Sequence, residues 1–135
     1  MDRQLVDNLV KVIIEDKEQQ NSYNHLDSLL STMSDEEIQY FLESCGDEVF
    51  INFNLSWLLI RTIPEKMKKF SVSFVNGKLS VVDMMEKSLR KEYSKGRITP
   101  ELFEETIKEY DEVRSEASRF LTLYLSEIEK EIKKD

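Results

Sequence analysis

Hydrophobic side chains recur at intervals of three and four residues along most of this chain, which is the pattern of helices that bury one face. The pattern predicts a first helix over residues 2–20 and a short second helix over 25–33. Residues 49–63 are apolar on nearly every side, and an element of that kind is buried in a core. We therefore expect a central helix there, and we expect four large side chains to be buried: Phe53, Trp57, Leu58 and Phe120.

Two starts of helices are marked by capping residues. Ser34 precedes Asp35-Glu36-Glu37, a capping box in which the Ser34 side chain and the Glu37 carboxylate each accept a backbone N–H of the other residue. The helix that begins there carries an apolar face and ends at Gly46, a residue suited to a left-handed cap. Thr99-Pro100 marks the last helix, with a capping Thr followed by Pro at the first helical position.

The spacing changes between residues 69 and 81. Phe70, Val72 and Phe74 alternate with serines, and Asn76-Gly77 is the dipeptide preferred in tight hairpin turns. One interpretation is a small β-hairpin near 70–80. The other makes Asn76-Gly77 a loop. Under either interpretation, Ser80 is expected to be the N-cap of a helix that ends at Gly96. The pattern alone leaves both open.

The last helix has no Gly or Pro from Glu101 to Asp135. A helix of roughly 34 residues is about 50 Å long, whereas a compact domain of this size is only about 36 Å across. The helix must then overhang, bend or meet another chain. Because Gly and Pro are scarce throughout, we expect an all-α fold. The prediction is a single-domain bundle over 1–135, with five or six helices and a long C-terminal helix.

Charge is sorted into blocks along the chain. Residues 1–60 carry twelve acidic and three basic side chains, residues 61–97 carry four and ten, and residues 98–135 carry eleven and six. The resulting net charges of −9, +6 and −5 add up to the total of −8. Such asymmetry is informative about partners rather than about fold. Our leading hypothesis is a small acidic protein-interaction protein: a subunit, adaptor or inhibitor that docks on a larger complex.

The basic segment 61–97 supports an alternative hypothesis, a nucleic-acid-binding subunit. Its lysines and arginines are interleaved with Phe70, Phe74 and Tyr93, so phosphate contacts and base stacking could be combined there. The overall acidity and the lack of a known nucleic-acid-binding motif favour a second interpretation, in which the segment neutralises acidic protein surface. The candidate contacts are Arg61, Lys66, Lys68, Lys69, Lys87, Arg90 and Lys91.

The acidic half of the chain supports a further alternative, an inhibitor that imitates nucleic acid and is encoded by a virus or mobile element. The carboxylates that would do so are clustered at Asp35, Glu36, Glu37, Glu43, Asp47 and Glu48. Several of them fall in the first turn of a predicted helix, where negative charge is favourable without any partner. The structural interpretation is therefore the favoured one.

Catalytic chemistry is poorly supported. The chain has one histidine, His25, and one cysteine, Cys45, which lies on the apolar face at the end of a predicted helix. Catalysis needs converging groups with tuned pKa values, and metal sites need several ligands. We predict a protein that is not an enzyme and has no metal or cofactor. The absence of a long apolar segment and of a signal-like N-terminus predicts a cytoplasmic protein that does not cross a membrane.

The predicted association surface lies near the end of the last helix. Its apolar stripe is wider than one shallow groove covers, and charged residues flank it at the C-terminal end. A protein partner or a second copy would bind there, through Tyr124, Leu125, Ile128 and Ile132.

Overall fold

The computed structural model describes residues 1–15 and 26–134. All regular structure in these residues is helical, as predicted, and no strand occurs in them. The seven helices are α1 (Arg3–Glu15), α2 (Leu26–Thr32), α3 (Asp35–Cys45), α4 (Glu48–Ile51), α5 (Phe53–Thr62), α6 (Pro64–Ser94) and α7 (Pro100–Ile132). The predicted five or six helices become seven because the segment 49–63 is divided.

Backbone contacts divide the chain into two compact units. Of the described residues, the first contains 1–15, 26–70 and 131–134, and the second contains 71–130. The helices α6 and α7 each contribute residues to both units. The prediction of one domain over 1–135 stays a prediction.

The start of α3 confirms the predicted capping box. Ser34 Oγ accepts the Glu37 N–H at 3.1 Å, and a Glu37 carboxylate oxygen accepts the Ser34 N–H at 2.9 Å. Glu37 also accepts the N–H of Asp2 at 3.1 Å, which ties the start of the chain to α3. These donors hold the pKa of Glu37 below its usual value, with the Ser34 backbone contributing most. The helix ends at Gly46, whose φ of 54° suits glycine.

The segment 49–63 is two helices, not one. Asn52 has an extended backbone, and its side-chain oxygen accepts the Leu55 N–H at 3.2 Å, so it ends α4 and caps α5. The buried face of α5 consists of Leu55, Ser56, Leu59 and Ile60. This face leaves Phe53 and Trp57 on the other side of the helix.

The prediction that four large side chains are buried is wrong, because none of the four belongs to the buried core. Phe53 is 78% exposed, Trp57 is 40% exposed and Phe120 is 40% exposed. Leu58 is half-buried. The core of the first unit is built instead mainly from smaller apolar side chains, together with the rings of Phe41 and Phe70: its fully buried members are Val6, Ile13, Leu26, Leu30, Phe41, Leu42, Val49, Leu55, Leu59 and Met67.

The small β-hairpin considered for residues 70–80 is also wrong, because α6 is one helix from Pro64 to Ser94. Gly77 lies inside it without a positive φ, and Ser80 is an interior residue rather than an N-cap. Within this stretch Val75 and Val82 are buried, seven residues apart, which is a helical spacing. Burial on one face of a helix has overridden the local preference of Asn76-Gly77 for a turn.

The second unit is an antiparallel pair of helices, which we call the hairpin (residues 71–130). Tyr93, near the end of α6, stacks on Phe103 near the start of α7, with ring centroids 4.2 Å apart. Further from the turn, Asp83 of α6 meets Arg114 of α7. Gly96 has a φ of 71° in the turn, and Thr99 Oγ1 accepts the Leu102 N–H, which confirms the predicted start of α7.

Candidate interaction surface

An ion-pair network fixes the middle of the hairpin. Arg114 of α7 reaches across to Glu86 of α6 at 2.9 Å and to Asp83 at 3.0 Å, and it also pairs with Asp111 at 2.9 Å. Glu86 is shared with Arg90 at 3.2 Å. The hydrogen bonds from Arg114 and Arg90 hold the pKa of Glu86 below its usual value, and the bond to Glu86 raises the pKa of Arg114.

One side of the hairpin is covered by exposed apolar side chains, and we call it the apolar face. Met84 is 69% exposed and Leu123 is 64% exposed, and the other members are between 40% and 55% exposed. Monomeric proteins seldom expose so many neighbouring large apolar groups unless a partner covers them. The apolar face consists of Val81, Met84 and Met85 of α6 and Leu102, Val113, Phe120 and Leu123 of α7.

A shallow groove of about 450 Å³ lies within the apolar face. Tyr110 of α7 lines it together with α6, so the apolar residues of the two helices share one side of the hairpin. Val113 follows Tyr110 by three residues and therefore continues this side along α7. The groove is lined by Val81, Met84, Met85, Ser88, Leu89, Glu92 and Tyr110.

The hairpin has little interior of its own. Among its described residues only Ser71, Val75, Val82 and Ile128 are buried, whereas the first unit has a core drawn from six helices. A helix stripe is stable when another element covers it, and two helices alone leave part of each stripe uncovered. The first unit also has a groove, of about 200 Å³, between α1 and α2. It is smaller than the groove on the hairpin.

The four residues predicted to bind a partner lie in the last quarter of α7. Tyr124, Leu125 and Ile132 are half-buried, and Tyr124 stacks on Phe120 with ring centroids 5.4 Å apart. Ile128 is fully buried, so its side chain is absent from the surface of the folded chain. Residues 131–134, at the end of α7, belong to the first compact unit. A binding role for these residues stays a prediction.

The basic residues predicted to contact nucleic acid are divided between the units. Arg61, Lys66, Lys68 and Lys69 belong to the first, and Lys87, Arg90 and Lys91 belong to the second. Among the pairs that the described residues form, Lys66 pairs with Asp35 and Arg90 pairs with Glu86. These two pairs agree with the interpretation in which the basic segment neutralises acidic surface. The nucleic-acid hypothesis itself stays a prediction.

The carboxylates at the start of α3 have structural partners. Glu37 belongs to the capping box, and Asp35 accepts a hydrogen bond from Lys66 that lowers the pKa of its carboxyl group. Asp35, Glu36 and Glu37 all lie in the first turn, where the helix dipole favours negative charge. These interactions within the chain account for the three carboxylates of the first turn without a second, basic protein.

The candidate catalytic groups are not brought together in the part of the chain that the structure describes. Cys45 is buried at the end of α3, and burial raises the pKa of its thiol to about 12. His25 lies outside the described residues. Within residues 1–15 and 26–134, no three His, Cys, Asp or Glu side chains are placed to hold a metal ion. None of the helices described is both long and apolar enough to cross a membrane.

No protein-family model, no curated protein and no solved structure matches the chain.

Proposed function

We propose that the protein acts by protein–protein association, as a subunit, adaptor or inhibitor, and that the apolar face of the hairpin is the surface it uses. The observation that carries the proposal is the concentration of exposed Met, Val, Leu and Phe side chains on one side of a helix pair that buries few residues of its own. Covering such a surface removes apolar area from water at about 25 cal/mol per Å². Burial of this face against a partner would therefore stabilise the complex.

The chemistry of the face fits this role. Met84 and Met85 are unbranched and adaptable, which suits a surface that packs against another helix. Of the seven residues that line the groove, only Glu92 is charged, as in interfaces with an apolar centre. Relative to the sequence-based prediction, the proposed surface moves from the end of α7 towards the middle of the hairpin.

The proposal includes the absence of catalysis. The buried thiol of Cys45, with its raised pKa, is poorly suited to act as a nucleophile. Replacing Cys45 and His25 together should leave association unchanged, and a complete loss of function in the double variant would point to chemistry instead.

The test replaces two residues of the apolar face. Met85→Glu combined with Val113→Glu places two carboxylates in its centre, among exposed apolar side chains. The matched control is Ser80→Glu combined with Ser115→Glu, which adds the same charge on the other side of each helix, where both serines are exposed. The immobilised full chain is used to capture protein from an extract of the source cells, and self-association is measured by light scattering.

The proposal requires association, with itself or with a captured protein, that the Met85/Val113 variant loses and the Ser80/Ser115 variant keeps. If neither form of association occurs, or if both variants behave alike, the proposal is wrong. A salt titration against single-stranded and duplex nucleic acid examines the alternative function. Binding with a steep salt dependence that is lost when Lys66, Lys68 and Lys69 become Glu would favour nucleic acid as the partner.

A further inference from the structure

We infer that the occupant of the apolar face is a second copy of this chain, packed so that α6 of each copy lies antiparallel against α7 of the other. The inference rests on the proposed function and names the partner. Its basis is a complementarity of charge and of apolar side chains between the two edges of the hairpin.

The outer edge of α6 is basic beside the apolar face. Lys91 lies two residues before Tyr93, and two residues turn a helix by about 200°. Because Tyr93 contacts α7, Lys91 is turned away from α7. Lys95 follows one helical turn later. Both side chains are exposed, and neither forms an ion pair with any residue that the structure describes.

The outer edge of α7 is acidic at the corresponding level. Glu105 lies two residues after Phe103, which contacts α6, and is turned away from it by the same argument. Glu109 follows one turn later. Both carboxylates are exposed and have no cationic partner among the described residues. The hairpin thus carries an unpaired positive edge and an unpaired negative edge on either side of one apolar surface.

A twofold axis parallel to the helices brings these edges together. Rotation about such an axis exchanges the positions of α6 and α7 but does not shift either copy along its length, so residues at one level stay at that level. Lys91 lies between Glu86, which is level with Arg114, and Tyr93, which is level with Phe103. Lys91 is therefore level with residues 105–109, and it meets Glu105 and Glu109 of the second copy.

The same rotation matches the apolar side chains. Met85 lies beside Glu86, and Val113 lies beside Arg114, which pairs with Glu86, so the two residues are within one helical turn of the same level. Facing hairpins place Met85 of each copy against Val113 of the other, and the twofold axis makes this contact twice. The result is a bundle of four helices in which every neighbouring pair is antiparallel, a packing with short, regular helix contacts.

The other twofold arrangement is unfavourable. An axis across the helices would place α7 of one copy against α7 of the other. The exposed carboxylates Glu105, Glu109, Glu112 and Glu116 would then face each other. Like charges in that arrangement repel, whereas the parallel axis pairs opposite charges along the same edges.

The experiment is a charge exchange between the two edges in the full chain. Sedimentation equilibrium of the wild type should give twice the chain mass of 16.0 kDa. Lys91→Glu with Lys95→Glu, and separately Glu105→Lys with Glu109→Lys, should each raise the dimer dissociation constant at least tenfold, because every altered contact occurs twice. An equal mixture of the two variants should form a heterodimer of nearly wild-type affinity, since the exchanged charges again complement each other.

The matched control is Lys87→Glu with Lys108→Glu. It changes the net charge by the same amount as the Lys91/Lys95 variant, but both residues are exposed away from the apolar face. It should dimerise like the wild type. Dissociation equal to that of the Lys91/Lys95 variant, or failure of the mixture to form a heterodimer, would overturn the inference. Circular dichroism establishes that each variant is folded before its mass is measured.

The outcomes also separate this inference from the proposed function. A wild-type chain that sediments as a monomer at about 100 µM, far above micromolar affinity, rules out the second copy. If that monomer still captures another protein and loses it in the Met85/Val113 variant, the proposed function stands with a different occupant. If the chain neither dimerises nor captures a protein, both are wrong.

Discussion

Replacing Gly77 by Ala distinguishes a continuous α-helix from a β-hairpin over residues 70–80. In the structure Gly77 is inside α6, lacks a positive φ and is exposed, and a Cβ atom added there would meet nothing within 4 Å. Alanine should then raise the free energy of unfolding by about 0.5–1 kcal/mol, because glycine loses more backbone freedom than alanine when a helix forms. If Asn76-Gly77 were instead a type I′ turn, Gly77 would need a positive φ, and alanine would be destabilising by about 1–2 kcal/mol.

The sign of the change in the free energy of unfolding therefore distinguishes the helix from the turn. At an unfolding entropy of roughly 2.1 cal/mol/K per residue, the expected stabilisation raises the melting temperature by about 2–4 °C. The assay is urea and thermal unfolding followed by circular dichroism at fixed protein concentration. The matched control is Gly46→Ala, which should be destabilising by about 1–3 kcal/mol because Gly46 has a φ of 54° and a ψ of −124°.

A lower urea midpoint for Gly77→Ala, with Gly46→Ala behaving as expected, would contradict the continuous α6. It would also contradict the proposed dimer contacts, because the positions of Lys91 and Met85 along the helix pair were inferred with α6 helical from Asp83 to Tyr93.

Three further predictions concern packing, thiol chemistry and pH. Phe41→Ala should lower the free energy of unfolding by about 3–5 kcal/mol, because Phe41 is fully buried, whereas Phe53→Ala, at an exposed position, should change it by about 0.5 kcal/mol or less; urea unfolding compares the two. Cys45, with a pKa raised to about 12 by burial, should react with a thiol reagent at pH 8 only as fast as the protein opens, and an immediate full equivalent of reaction would contradict its burial. In the folded protein the pKa of Glu86 is lowered from 4.5, mainly by the hydrogen bond from Arg114. The Glu86 carboxylate therefore stabilises the fold above pH 4.5, and this stabilisation is lost as the pH falls through the lowered pKa. Glu86→Gln should reduce the melting temperature at pH 7, and the difference between variant and wild type should disappear in acid.

The parts of the fold that local chemistry decides were predictable from the sequence. The capping box of Ser34 and Glu37 and the Thr99-Pro100 start of α7 each depend on side chains that bond backbone groups within a few residues. Gly46, at the end of α3, has the positive φ expected of a left-handed cap. Helix boundaries marked in this way need no knowledge of the tertiary structure.

The parts that depend on tertiary packing were not predictable. Asn76-Gly77 prefers a turn locally, but α6 buries Val75 and Val82 on one side and continues through it. Phe53 and Trp57 are large and apolar, yet the buried face of α5 is set by Leu55 and Leu59 once Asn52 has divided the segment. When an element is apolar on every side, its sequence does not indicate which face is buried.

The candidate surface was predictable only in kind. The charge blocks and the long last helix indicated a partner, but the stripe on α7 gave no sign of where it would be covered. Arg114 illustrates the difficulty, because a charge on an apolar stripe looks like an interruption. In the hairpin it is matched by Glu86 and Asp83, which lie about 30 residues away in sequence.

The two neighbouring methionines of the apolar face make it sensitive to oxidation. Met84 and Met85 are 69% and 48% exposed, so peroxide has access to both thioethers, whereas Met67 is fully buried in the first unit. Conversion to the sulfoxide replaces an apolar group with a polar one at the centre of the surface. If the apolar face associates as proposed, oxidation of Met84 and Met85 should weaken that association while the buried Met67 stays reduced, and methionine sulfoxide reductase should restore it. The apolar character of this face thus depends on the redox state of its surroundings.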